Sequence, residues 1–263
     1  MPESDDSGQV CSPHQEWDPL VLDALAADDF YASYKKRIRE LLRPRSGGRY
    51  LDVGSGSGEA AIRFLAGHPV ELVALDRSLR MSRLAKSRGV PNALAADAHL
   101  LPFASASFDG VYADRVFQHL DQPDIALAES ARVLRPGGRL VLADPDYDLQ
   151  ALEIEDQELA RRILRYRADE MVRNGALAHR QAARLVDLGF DDIGVEARTV
   201  VVRRPDVLDN VLNLRDWAHH AVGRGRLPVG DAERFVRQFD RAARDGKLTY
   251  VLTFLLTSGT KAR

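Results

Sequence analysis

Short apolar runs alternate with amphipathic runs over most of the chain, and this alternation constrains the fold more than any other feature. Five runs with strand character follow one another: RYLDVG, VELVALD, NALAADA, GVYADRV and RLVLADPD. Runs with helical periodicity separate them: EAAIRFLA, SLRMSRLAKSR and PDIALAESARVL. Because strands and helices that alternate in this way form parallel sheets covered on both faces, the sequence predicts an open α/β fold.

Two later strand-like runs, IGVEARTVVV and LTYVLTFLLTSG, bring the predicted sheet to seven strands. The residues between them, 203–246, are mostly helical and too many for a simple connection. Since long insertions are usually functional, we predict a helical cap over the carboxyl end of the sheet. The predicted organisation is a disordered tail (1–15), a core (16–202 and 247–263, with N-terminal helices in 16–45) and this cap insertion (203–246).

Composition argues against several classes of function. The 263 residues carry a net charge of −2 with both signs interspersed, so the sequence predicts no nucleic-acid partner held through phosphate contacts. The single cysteine, Cys11, excludes an internal disulfide and a cysteine-rich zinc site. We find neither an apolar leader nor an apolar run of about 18 residues, and we therefore expect a cytoplasmic protein with no membrane partner.

The stretch YLDVGSGSGEAA, residues 50–61, combines the end of a strand, a glycine turn and the start of a helix. In open α/β sheets this unit binds a nucleotide at the carboxyl ends of the strands. The dinucleotide fingerprint G-x-G-x-x-G, counted from Gly54, would place its third glycine where Glu59 stands. The spacing here is G-x-G-x-G, with Asp52 two residues before the first glycine. The loop alone therefore leaves the class of nucleotide open.

Acidic residues also end the next two strands. Asp76 lies about 20 residues beyond the glycine loop, where a carboxylate can accept both hydroxyls of a ribose. This position suits NAD and S-adenosylmethionine alike. Asp97 follows the third strand and can accept from the exocyclic amine of adenine, beside the backbone N–H of Ala98.

Taken in this order, YLDVGSGSG, VALD, ADA, FDGVYADRVFQHL and LRPGGRLVLAD resemble the class I S-adenosylmethionine-dependent methyltransferases over residues 50–146. The chain is most similar to small-molecule enzymes of the ubiquinone/menaquinone-biosynthesis type and their natural-product relatives. The resemblance implies a Rossmann-like fold and S-adenosylmethionine as cofactor. The residues that it implies for cofactor binding are Lys35, Asp52, Gly54, Ser55, Gly56, Asp76, Arg77, Asp97, Ala98 and Arg115.

Some of these assignments have a plain structural alternative. A solvated surface position is the favoured alternative for Lys35 and Arg77, and Gly58 is equally explained as a residue needed only for packing a helix against the sheet. The roles with a direct physical argument are those of Asp52, which can bind the donor's ammonium, and of the glycines, which let the backbone approach the ligand closely.

Catalysis is less visible than binding. His119 follows the fourth strand, and its imidazole, with a pKa near 6.5 if unperturbed, makes it the candidate general base; the alternative is a structural histidine. The aromatic and imidazole side chains predicted to enclose the acceptor are Tyr31, Tyr34, Tyr147, Trp217 and His220. Acidic residues at strand ends, Asp114, Asp144 and Asp146, offer hard-cation ligands, but such clusters are common without metal and we predict none.

The sequence thus predicts an enzyme that methylates oxygen, nitrogen or carbon of a small, partly apolar metabolite, in secondary metabolism. The alternative is a protein that binds S-adenosylmethionine without transferring its methyl group, either assisting a rearrangement or serving as a partner subunit. The expected partner is a small-molecule acceptor, and the expected assembly is a monomer or homodimer.

Overall fold

The computed structural model describes residues 29–67, 69–205, 208 and 213–263. The predicted tail at 1–15, the predicted helical residues 20–28 and part of the predicted cap (206, 207 and 209–212) lie outside the described residues.

Seven strands form one sheet in the order β3-β2-β1-β4-β5-β7-β6. The strands are β1 (Arg49–Val53), β2 (Glu71–Asp76), β3 (Ala93–Ala95), β4 (Phe108–Asp114), β5 (Leu134–Leu152), β6 (Phe190–Val202) and β7 (Tyr250–Lys261). All four neighbouring pairs from β3 to β5 are parallel. This topology confirms the predicted fold class and brings the carboxyl ends of β1, β2 and β4 to one edge.

Eight α-helices are described: α1 (Asp29–Leu42), α2 (Glu59–Gly67), α3 (Leu79–Ser87), α4 (Pro123–Val133), α5 (Gln157–Tyr166), α6 (Gln181–Asp187), α7 (Leu214–Gly223) and α8 (Val229–Arg244). Ser78 caps α3 by accepting a hydrogen bond from Met81 N at 3.2 Å. Asp156 caps the start of α5, and a π-helical turn, Arg167–Met171, follows its end. No helix among the described residues has the length and apolar character needed to cross a membrane.

Buried aliphatic side chains from the central strands form the core of the sheet. Leu51, Val73, Val111 and Leu140 come from four adjacent strands and belong to one buried cluster. Runs of this kind, buried on both faces, are typical of parallel sheets and account for their strong hydrophobic signal in the sequence.

The chain divides into two compact units. Within the described residues, the larger unit contains the chain up to Asp146, then Ala176–Arg198 and Phe254–Arg263, and the smaller unit contains Tyr147–Gly175 and Thr199–Thr253. The described part of the predicted cap belongs to the smaller unit. Residues 147–175 also belong there, although the sequence analysis assigned them to the core. The reason for the difference is that β5 continues to Leu152, well beyond the predicted strand, and leads directly into α5.

Candidate cofactor and active site

The glycine loop after β1 takes a conformation that favours glycine. Gly54 and Gly56 have φ values of +73° and +53°, in the left-handed region. The backbone N–H groups of Gly54 and Ser55 donate to Leu75 O at 2.7 and 2.9 Å, which fixes the loop to the end of β2. A Cβ at Gly54 would collide with the side chain of Val116. The first glycine is therefore required both by its φ and by the residue packed against it.

Gly58 has a different role from the first two glycines. Its φ is +81°, and a Cβ there would lie 2.7 Å from Ala85 Cβ and 3.0 Å from Val90 Cγ2. Both neighbours belong to α3 and the turn that follows it, so Gly58 allows α2 to begin close against that helix. This geometry favours the packing alternative for Gly58.

Asp76 is held in place at the end of β2 by the backbone around it. Gly56 N donates to Asp76 Oδ2 at 2.8 Å, and Ser78 N donates to Oδ1 at 2.9 Å. Each carboxylate oxygen can accept a further hydrogen bond. The carboxylate is thus oriented by the loop at the strand end where a ribose would bind.

Asp52, near the end of β1, is a buried acid with an unsatisfied oxygen. It is 2% exposed, and the nearby Tyr112 hydroxyl lowers its pKa without forming a hydrogen bond of good geometry to Oδ2. Burial, with a further contribution from Asp114, raises the pKa of Asp52 to about 7. A buried acceptor without a donor is costly and rare in proteins. It fits the ammonium of an amino-acid ligand, which would supply both the donor and the countercharge.

Asp97, beyond β3, is exposed but oriented by a histidine that the sequence analysis did not single out. His99 donates to Asp97 Oδ1 from its backbone N at 2.8 Å, and its Nδ1 lies 2.6 Å from the same oxygen. His99 Nε2 accepts from Gln122 N at 3.3 Å. The hydrogen bond from the backbone N of His99 is the main cause that lowers the pKa of Asp97, and the bond from the His99 side chain lowers it further. The signal in the sequence was the D-x-H spacing, which allows a side chain to bond the backbone two residues on.

Helix α1 contributes three side chains to the same edge of the larger unit. Lys35 Nζ pairs with Glu59 Oε2 at 2.8 Å, at the first residue of α2. Tyr34 donates to Asp114 Oδ1 at 2.6 Å, and the Arg115 guanidinium lies 5.2 Å from the centre of the Tyr31 ring.

The structure corrects two expectations for α1. Lys35 is only 7% exposed, so the surface alternative for it is wrong. Tyr34, predicted to contact the acceptor, is fully buried and packs on the Phe254 ring at 5.3 Å, which assigns it to the core. Arg77, in contrast, is exposed.

His119 lies on a single 3₁₀ turn, Phe117–His119, after β4. Its Nε2 is 2.9 Å from the side-chain Nε2 of Gln118. Burial, together with the positive charges of Arg115 and Arg77, lowers the pKa of His119 to about 4. The value near 6.5 of an unperturbed imidazole therefore does not apply here, because the imidazolium is poorly solvated and repelled by two arginines.

The three acids considered as cation ligands all accept hydrogen bonds from protein groups. Asp114 accepts from Tyr34, as described above. Asp144 is buried and accepts from Gln181 Nε2 at 3.0 Å, and burial raises its pKa to about 7. Asp146 accepts from both the backbone N and the Nδ1 of His179, at 2.8 and 2.7 Å.

Comparison with known proteins decides between the nucleotide classes that the glycine loop left open. Residues 51–142 match a family described as a methyltransferase domain. The chain is also 35% identical over 236 residues to an uncharacterised 37.1 kDa protein in transposon TN4556 of Streptomyces fradiae, a match that covers 88% of this chain and 68% of that protein. The chain belongs to the class I S-adenosylmethionine-dependent methyltransferases.

Relatives with named activities match over shorter stretches of this methyltransferase. It is 42% identical over 116 residues to the O-methyltransferase rstn1 of Aspergillus nomiae, covering 41% of this chain and 52% of that protein. It is 36% identical over 132 residues to the ubiquinone/menaquinone biosynthesis C-methyltransferase UbiE of Dinoroseobacter shibae, covering 47% and 53%. The matches thus span about half the length of these two relatives.

A solved structure supports the fold of this methyltransferase independently. The YcgJ protein of Bacillus subtilis superposes with a TM-score of 0.60 at 24% identity, covering 88% of this chain and 99% of that one. Together these comparisons confirm the predicted family, its fold and its cofactor, S-adenosylmethionine.

Three residues of this methyltransferase that were predicted to contact the acceptor lie in the smaller unit. The Arg167 guanidinium lies 4.4 Å from the centre of the Tyr147 ring and 3.9 Å from that of Trp217. His220 Nδ1 is 2.6 Å from the hydroxyl of Tyr166. Each of the three therefore has a packing or hydrogen-bonding partner inside its own unit, and contact with an acceptor stays a prediction for all of them.

Proposed function

We propose that this chain transfers the methyl group of S-adenosylmethionine to an oxygen, nitrogen or carbon atom of a small, partly apolar metabolite. The observation that carries the proposal is the unsatisfied oxygen of buried Asp52, beside the oriented carboxylate of Asp76. The relatives named above methylate oxygen and carbon, which supports both acceptor atoms. Secondary metabolism is the expected setting, because an O-methyltransferase of a filamentous fungus is among these relatives.

The residues present fit the cofactor part by part. Asp52 would bind the ammonium of the methionine moiety, and Arg115 its carboxylate. Asp76 would bind the ribose hydroxyls, and Asp97, held by His99, would accept from the adenine amine beside the N–H of Ala98. Lys35 would act through Glu59, because its ammonium is already paired with that carboxylate.

The bound cofactor supplies a methyl group on a positively charged sulfur, which an acceptor atom can displace. For this chain, the main task is to hold the acceptor in line with that methyl group. Proximity and orientation alone supply roughly 7–11 kcal/mol of the barrier in well-aligned reactions. The carboxylates at the strand ends, Asp52, Asp76 and Asp97, would contribute by fixing the donor in one position.

Isothermal titration calorimetry tests the donor assignment. We expect S-adenosylmethionine to bind with roughly −7 to −8 kcal/mol, in the micromolar range. Asp76→Ala should weaken binding at least about tenfold, because charge-assisted hydrogen bonds contribute about 1.5–3 kcal/mol. The matched control is Asp187→Ala, an exposed acid at the end of α6. Tight binding of NAD with no binding of S-adenosylmethionine would contradict the proposal.

Detection of S-adenosylhomocysteine tests the transfer itself. The enzyme is incubated with S-adenosylmethionine and a panel of phenols, quinols and amines, and the demethylated product is quantified. Product that depends on one class of acceptor supports the proposal and identifies the acceptor atom. Donor binding without product across the whole panel would favour the alternative, a protein that binds the donor without transferring its methyl group. A cytoplasmic location and a monomeric or homodimeric state remain part of this proposal.

A further inference from the structure

A histidine that the functional assignment does not use is paired with a fully buried carboxylate. Asp146, on β5, is 0% exposed, and its Oδ2 accepts from both the backbone N and the Nδ1 of His179. The side chain of His179 is 41% exposed. The hydrogen bonds from the backbone N and from Nδ1 hold the Nδ1 side of the ring against Asp146. The Nε2 side of the ring is partly exposed to solvent.

The contacts of His179 agree on one tautomer. Asp146 is an acceptor, so Nδ1 carries the proton. On the other side of the ring, Arg180 Nε donates to His179 Nε2 at 3.4 Å, which requires an unprotonated Nε2. That hydrogen bond is long and therefore weak, so an acceptor hydroxyl can replace it. His179 thus presents an available lone pair, and a carboxylate stands behind it to stabilise the imidazolium that forms on proton uptake.

The His179–Asp146 pair lies at the edge of the sheet that carries the cofactor residues. β4 and β5 are parallel neighbours, with Asp114 opposite Ala143, so Asp144 and Asp146 extend beyond the end of β4. Asp144 accepts from Gln118 N at 3.5 Å and from Gln181 Nε2 at 3.0 Å. The turn that bears His119 and the segment that bears His179 are therefore joined through one buried carboxylate.

We propose that His179 is the general base for methylation of a hydroxyl acceptor, with Asp146 as its positioning residue. The inference rests on the proposed function and assigns its acceptor class. In this step His179 Nε2 takes the proton of the acceptor hydroxyl as the oxygen lone pair forms the new bond to the methyl carbon. The electrons of the sulfur–methyl bond stay on sulfur. The products are the methyl ether, the neutral thioether and an imidazolium paired with Asp146.

His119 is the less suitable base by the same criteria. Its Nε2 faces the amide of Gln118, and the charges nearest to it are the arginines 115 and 77. Those positive charges oppose proton uptake by His119, whereas the ring of His179 is held by the Asp146 carboxylate.

A series of ring-substituted phenols of different acidity tests the base. The enzyme variants are His179→Gln and Asp146→Asn, and the matched control is His219→Gln, an exposed histidine on α7. Assays contain EDTA, so that metal ions do not contribute. For unsubstituted phenol, we expect His179→Gln to lower kcat about 10²–10⁴-fold with little change in the KM of the donor. For 4-nitrophenol, which is largely ionised at pH 8, the loss should be small, because no proton remains to be removed.

The outcomes separate the two proposals. An equal loss for all phenols, or no loss, overturns the base assignment, since a merely structural residue does not distinguish acceptors by acidity. Donor binding without methylation of any phenol by the wild type overturns it too. Absence of donor binding overturns the proposed function instead.

A second measurement needs no turnover. Nitrogen-15 NMR of histidine-labelled protein at pH 7.5 should show His179 with a protonated Nδ1 and an unprotonated Nε2, and Asp146→Asn should abolish this preference. A protonated Nε2 in the wild type would overturn the proposal even if the variants lose activity through misfolding.

Discussion

In the larger unit, the two ends of the sheet differ in how a buried charged side chain is hydrogen-bonded. At the end where β4 and β5 begin, Arg139 is 6% exposed, and its nitrogens donate to Leu41 O at 3.1 Å, Asp192 Oδ2 at 2.7 Å, Thr260 Oγ1 at 2.9 Å and Ser258 Oγ at 3.1 Å. At the end where β1 finishes, the Oδ2 of Asp52 accepts no hydrogen bond. The first end is satisfied internally and stabilises the fold, whereas the second leaves an acceptor for a ligand.

Removal of Arg139 should have the largest effect on stability. Arg139→Met removes the donor to Leu41 O, Ser258 Oγ and Thr260 Oγ1, whereas Asp192 keeps its ion pair with Arg43. We expect the free energy of unfolding to fall by about 3 kcal/mol. Urea unfolding measures the change, and donor affinity should stay within about twofold. Arg135→Met is the matched control, because its ion pair with Asp109 is half exposed and should contribute less than about 1 kcal/mol. A similar stability for both variants would remove the contrast between the two ends.

Asp52→Asn should change binding and stability in opposite directions. Donor affinity should fall at least about tenfold through loss of the ion pair with the ammonium. The pKa of Asp52 rises from 3.8 to about 7 on folding, so the stability associated with its neutral form is lost as the pH rises through that range. At pH 8 the amide should therefore raise the free energy of unfolding, by on the order of 2 kcal/mol. Calorimetry measures the donor affinity at pH 8, and urea unfolding measures the free energy of unfolding at the same pH. A fall in both quantities would mean that Asp52 stabilises the fold.

The pH dependence of donor binding sharpens the role of Asp52. Because the ammonium binds the ionised carboxylate, binding lowers the pKa of Asp52 and releases a proton near neutral pH. Affinity should fall about tenfold from pH 8 to pH 6, around the pKa of about 7. Titrations in buffers with different ionisation enthalpies measure the released proton. Asp52→Asn should show a flat profile, and a flat profile in the wild type would assign the ammonium to another group.

His119→Gln should have the smallest effect. With a pKa of about 4, the imidazole is neutral from pH 6 to 8, so it gives no rise in rate near pH 6.5. We expect a loss in kcat of less than about threefold, measured with the same phenols as for His179. A loss in kcat of about 10²-fold or more in His119→Gln, together with full activity in His179→Gln, would assign the role of general base to His119 instead.

The sequence predicted the fold because the fold follows from local patterns, and the same patterns placed the residues proposed for the donor. Strand ends in a parallel sheet meet at one edge, so Asp52 and Asp76 were placed together by counting strands. The glycine spacing likewise predicted a turn after β1, and Gly54 and Gly56 have positive φ values there.

Pairings between distant residues could not be predicted in the same way. Lys35 and Glu59 are 24 residues apart, and Asp146 and His179 are 33 apart. Whether such side chains meet depends on the path of the chain between them. Secondary-structure propensity and hydrophobic periodicity carry no information about that path. The same holds for the pKa of His119, because burial in the folded chain lowers it first and two arginines from different loops lower it further.

The position of β7 in the sheet bears on how the protein is made. β7 lies between β5 and β6, yet it is synthesised after both. On the ribosome, β6 has no partner in the sheet until residues 250–261 have emerged, and the edge of β5 stays exposed meanwhile. Exposed strand edges pair readily with other chains. Nascent chains that pause between β6 and β7 should therefore depend most on chaperones, and slow codons placed in α7 or α8 should lower the soluble yield.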